Sequence, residues 1–138
     1  MGPSMINRMS CLSIVCAALV LGASASTSGQ TAATRALMRE KLALSDKVLE
    51  AVMTSDYAAL ERDAHALARL TEKPGWTVLT TPEYARYSSA FVSAVQELAA
   101  AAKDRDLDNA ALRYTTMTMA CYQCHRYVKN ARVATSRP

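Results

Sequence analysis

From Ala32 onward, apolar residues return along this chain at helical intervals, with no convincing run of the two-residue alternation that marks a strand. In the segment from about Ala32 to Thr54, Met38, Leu42, Leu49 and Val52, with small Ser45 between them, step by fours and threes. That spacing places them on one side of a helix, and Arg39, Lys47 and Glu50 on the other. A second register is also written there, through Leu37, Leu44, Val48 and Ala51, but it is interrupted by Lys41. The uninterrupted register is the better inward face. Ser55 is the expected N-cap of a second helix, from Asp56 to about Leu70, whose inward stripe is Tyr57, Leu60, Ala64, Leu67 and Thr71.

The pattern breaks at Glu72 to Thr80, where Pro74-Gly75 is a turn signal. Thr81 then reads as an N-cap and Pro82 as the first helical residue, a position where the missing N–H of proline costs nothing. Tyr84, Phe91, Val95, Leu98 and Ala102 form the stripe of this third helix. After a polar turn at Lys103 to Asp106, Asp106 or Asp108 can cap the last helix. Its stripe is Ala110, Tyr114, Met117, Cys121, Cys124 and Val128. Four amphipathic helices joined mainly by short polar turns predict an all-α fold, an antiparallel four-helix bundle.

The N-terminus changes which residues count. Met5-Ile6-Asn7-Arg8 is a positive start, Cys11 to Gly22 an uncharged apolar run, and Ala23-Ser24-Ala25 an A-x-A pattern. That order predicts a signal peptide over residues 1–25, cleaved near Ala25, and a single domain over residues 26–138. The apolar run, about twelve residues, is short of the roughly twenty a membrane-spanning helix needs. Cleavage removes Cys11 and Cys16, leaving Cys121 and Cys124. Two cysteines three apart on one helix staple almost nothing, so their purpose is chemical. Formal charge falls only from +4 to +3 with the loss of Arg8. No Lys/Arg block points to nucleic acid, and no later segment is apolar enough to cross a membrane.

Cys121-Tyr122-Gln123-Cys124-His125 is a C-x-x-C-H, the attachment sequence for c-type haem. Positions i, i+3 and i+4 share a helix face, so both thiols and the imidazole project together. The thiols can take the two vinyl groups of one haem, and His125 can bind its iron from below. A redox dithiol would open a helix, where the N-terminus lowers a thiol pKa, and this motif lies deep inside one. Structural zinc needs four ligands, and of the remaining residues only His65 offers itself.

A ligand for the opposite haem face must come from another helix. Leu37 and Met38 are neighbours about 100° apart around the helix axis, and the uninterrupted register aims Met38 inward. Methionine paired with histidine is an axial set that raises potential in electron-transfer cytochromes. Met117 and Met119 share the helix of His125 and cannot reach the other face, while Met53 is expected to pack. Arg126, Lys129, Arg35, Arg39 and Lys41 are candidate propionate partners, with solvated surface charge as the plainer role for each. Tyr84, Tyr87, Phe91 and Tyr114 are candidates to pack on the porphyrin, and Trp76 to cover one end of the core.

These residues together resemble the class II cytochromes c, exported four-helix bundles with a C-x-x-C-H on the last helix. Cys121, Cys124 and His125, followed by Arg126-Tyr127-Val128-Lys129, match that ending; Met38-Arg39-Glu40-Lys41-Leu42 occupies the region of the distal residue. The resemblance implies one covalent haem, a periplasmic location and redox proteins as partners, and it allows a homodimer through the first two helices. A distal methionine implies a low-spin electron carrier that is no enzyme. A non-ligating residue such as leucine implies an open site for nitric oxide or carbon monoxide, and a sensing or structural haem module is a third reading.

Overall fold

A computed structural model describes residues 24–135. It is all-helical, with four long helices and, among the described residues, no strand: α1 (Ser24–Thr54), α2 (Tyr57–Arg69), α3 (Pro82–Lys103) and α4 (Leu107–Thr135). A short 3-10 turn, Leu70–Glu72, follows α2. The predicted leader lies outside the described residues except for Ser24 and Ala25, and α1 begins well before Ala32.

The first corner corrects one expected cap. Ser55 is left-handed (φ 57°) and closes α1 instead of opening α2. Its N–H donates to Val52 O at 3.3 Å and that of Asp56 to Ala51 O at 2.9 Å, a Schellman closure of the last turn. The cap of α2 is Asp56, whose Oδ1 accepts the Ala59 N–H at 2.9 Å. The same device recurs before α4. There Arg105 is left-handed, the N–H groups of Arg105 and Asp106 donate to Ala102 O and Ala101 O, and Asp106 Oδ1 accepts from Asn109 N–H at 3.0 Å. Thr81 caps α3 as expected, with Pro82 in its first turn.

The stripes of α2 and α3 point inward as predicted. Leu60, Ala64 and Leu67 are buried from one, and Tyr84, Phe91, Val95, Leu98 and Ala102 from the other. On α4, Ala110 and Met117 are buried, while Tyr114, Cys121, Cys124 and Val128 are half-buried. Buried alanines of α3, among them Ala94, Ala99 and Ala101, present little side chain between the helix axes. α3 packs extensively on both α2 and α4, and α1 on α2; α1 and α4 meet only sparsely.

In α1 the expected register holds only at its ends, where Val52 is buried and Met38 packs against the core. Leu42 is 63% exposed and Leu49 41%, whereas Leu37, Lys41, Val48 and Ala51 are buried. The inward face is therefore the register that Lys41 interrupts. Lysine can occupy it because a long aliphatic stem packs like a hydrophobe, and here the ammonium meets aromatic faces. Its Nζ lies 3.7 Å from the Phe91 ring centroid and 4.8 Å from that of Trp76. Met53, expected to pack, is 75% exposed.

The linker before α3 is tied to the first half of α1. Gly75 adopts φ +91°, and a Cβ built there would lie 2.8 Å from Thr34 N and 3.0 Å from Ala33 C. Only glycine permits that approach. Thr34 Oγ1 donates to Gly75 O at 2.9 Å, and Lys73 Nζ pairs with Glu40 at 2.6 Å. Trp76 is thereby laid into the core. Its indole N–H donates to Ser88 Oγ at 3.1 Å, its ring tilts against Phe91 at 5.4 Å, and its carbonyl accepts from the Tyr84 hydroxyl.

Candidate functional site

A cavity of about 450 Å³ lies between the middle of α1, the linker and the last third of α4. α1 contributes Thr34, Met38 and Lys41, three positions on one side of a helix; the linker contributes Trp76 and Val78. Tyr84 stands at the start of α3. From α4 come Cys124, His125, Val128, Lys129 and Arg132, again helical neighbours. The volume lies within the usual range of small-molecule sites.

The sequence-predicted residues separate here. Met38, Cys124 and His125 line one cavity. Cys121, one helical turn before Cys124, is half-buried against the hydrophobic core and does not line it. Leu37 is buried in the core, away from the cavity wall. Met38 reaches the cavity although its stripe is not the inward one, because the cavity lies to the side of the core that Leu37 fills. Arg35, Arg39 and Arg126 are exposed and outside the lining, whereas Lys41 and Lys129 are part of it. His65 is exposed on α2 beside Glu61, at 3.9 Å. Met117 is core and Met119 is exposed. Of the aromatics, Trp76 and Tyr84 line the cavity; Phe91 lies behind it in the core, and Tyr87 pairs with Tyr127 at 5.4 Å. Thr34 and Arg132 were missed, though each lies at helical spacing from a named residue, Thr34 from Met38 and Arg132 from His125. Val78 carries no such signal, because the linker has no period.

The chemistry of the wall is specific. Cys121 and Cys124 are both free thiols. Burial pushes the Cys124 thiol up from its ordinary pKa, against the pull of the Lys41 ammonium, and Cys121 adds to the rise. His125 keeps a solvent-facing edge, but the wall removes enough water to lower its pKa, and Lys41 lowers it further. Tyr84 is raised by burial first and by Cys124 second. Among the described residues, three cations line the cavity, Lys41, Lys129 and Arg132, and no carboxylate does. Among the described residues, no group of three or more His, Cys, Asp or Glu side chains could hold a bare metal ion. A porphyrin, which brings four nitrogens of its own, asks less of the protein: two thiols three apart, one imidazole beside them and one donor opposite. Met38, Cys124 and His125 on the wall meet part of that requirement; the second thiol, Cys121, lies one turn away against the core.

No protein-family model, curated protein or solved structure matches this chain.

Proposed function

We propose that this protein is an exported mono-haem c-type cytochrome, an electron carrier related to the class II cytochromes c. Cys121 and Cys124 would hold the haem by thioethers, His125 would bind its iron on one face and Met38 on the other. The observation that carries the reading is that Met38 of α1 lines the same cavity as Cys124 and His125 of α4. Among the described residues, Met38 is the only thioether or imidazole on that wall besides His125, and Leu37 is turned into the core.

The surroundings support it. When bound, the haem supplies a one-electron couple. Trp76, Val78 and Val128 add apolar surface to the wall, and Lys129 and Arg132 would offer positive charge to the propionates. The half-buried, protonated Cys124 thiol stays inert until it is joined to a vinyl group. Thr34 and Met38, early in α1, share a wall with Val128 and Arg132, late in α4. That proximity supports opposed helix directions, as in an antiparallel four-helix bundle. The exposed face of Leu42, Leu49 and Met53 on α1 supports a homodimer through the first two helices. A periplasmic location and protein redox partners complete the proposal. Its chemistry is electron transfer, without substrate turnover.

The test is a visible spectrum of the oxidised and reduced protein, with and without carbon monoxide, after an alkaline pyridine assay for covalent haem. Low-spin haem inert to the gas is expected, and Met38→Ala should open the sixth position to carbon monoxide. High-spin ferrous haem that takes up the gas readily in the unaltered protein would replace the electron carrier with a gas-binding reading. A spectrum unchanged by Met38→Ala would make Met38 a packing residue.

A further inference from the structure

Lys41 occupies a position where stability alone calls for an apolar residue. Leu37, Leu44, Val48 and Ala51 share its register, and Lys41 itself is only 6% exposed. Burying an ammonium is costly unless it is paired, yet Lys41 makes no ion pair among the described residues. Its partners are two ring faces, Phe91 at 3.7 Å and Trp76 at 4.8 Å. A cation held over aromatic faces recovers part of the lost hydration while keeping its charge. The cage also fixes where that charge stands. Lys41 lines the cavity together with Met38, Cys124 and His125.

We propose that Lys41 sets the reduction potential of the site, a role that rests on the haem reading above. Ferric haem carries one more positive charge than ferrous haem. A buried cation on the wall of the same cavity therefore disfavours the oxidised state and raises the potential. Burial makes the effect stronger than that of an exposed lysine, because a buried charge is screened less by solvent and salt. Reduction takes one electron from a donor protein and adds it to the iron; no bond at Lys41 forms or breaks. Lys41 is thus a positioning residue for charge, and the aromatic pair of Phe91 and Trp76 is what positions it.

The experiment is a spectroelectrochemical titration of the haem-loaded protein, wild type against Lys41→Met and Lys41→Arg. Lys41→Met should lower the equilibrium constant for reduction about tenfold, which is about 59 mV for a one-electron couple. Lys41→Arg should restore most of that shift, which a purely structural role would not require of it. Lys41→Gln, which keeps a polar head, carries the same measurement if the methionine variant does not fold. An unchanged or raised potential in a neutral variant whose low-spin spectrum is intact would overturn the assignment while leaving the cytochrome reading untouched. Absence of covalent haem from the wild-type protein would overturn both.

Discussion

Gly75→Ala should be among the most damaging single-methyl additions in the protein, although it lies outside every helix. Two costs add. At φ +91° an L side chain is strained by roughly 1–2 kcal/mol. The new Cβ would also stand 2.8 Å from Thr34 N and 3.0 Å from Ala33 C. Those are backbone atoms of α1 and cannot rotate away, so the linker and the helix must part, at a cost of about 1–3 kcal/mol. The Thr34 hydroxyl bond to Gly75 O stretches in the same movement. The sum is about 2–5 kcal/mol, and for a domain of this size each kcal/mol moves the midpoint by roughly 4 °C. Thermal melting followed by far-ultraviolet circular dichroism should therefore show a midpoint lower by about 8–20 °C. A fall of less than about 3 °C would mean that the linker does not press on α1, and that Trp76 is held in the cavity wall by something else.

The inward face of α1 can be tested directly by urea denaturation. Leu37→Ala should cost about 2–5 kcal/mol and Leu42→Ala no more than about 0.5 kcal/mol; the reverse order would reinstate the register through Met38, Leu42 and Leu49. In protein made without haem, His125 should give a pH dependence of one sign. Its folded pKa is lowered, chiefly by burial, so the folded state binds fewer protons than the unfolded one, whose value is near 6.5. The stability linked to it is present above that value and lost as pH falls through the lower folded pKa. His125→Gln should flatten the fall in melting midpoint below about pH 6.5, and a slope identical to that of wild type would remove His125 from the linkage.

Where each polar residue had one plain role, the fold was legible. On α3 the Thr81–Pro82 start and the stripe from Tyr84 to Ala102 left a single inward face, and Leu60, Ala64 and Leu67 did the same for α2. On α1 two apolar faces lie about 100° apart, and the choice between them turned on Lys41. Scored as a charge it belonged outside. Its partners, Phe91 and Trp76, come from α3 and the linker, so local sequence could not place it inside. The same locality explains Ser55, which resembled a cap because nothing nearby announced that it would close one helix and leave Asp56 to open the next. The helical setting of Cys121, Cys124 and His125 was legible because they lie within about one turn of α4, although only Cys124 and His125 reach the cavity. The cavity was not, because it is assembled from α1, α4 and a linker without period.

The sparse meeting of α1 and α4 makes this molecule resemble a book whose first and last covers scarcely touch. The cavity lies between those covers, on the line along which the fold has least to break when it parts locally. A group fastened to α4 and gripped by Met38 of α1 would act as the clasp. If the proposed haem fills that cavity, loading it would tie α1 to α4 where the helices otherwise barely meet.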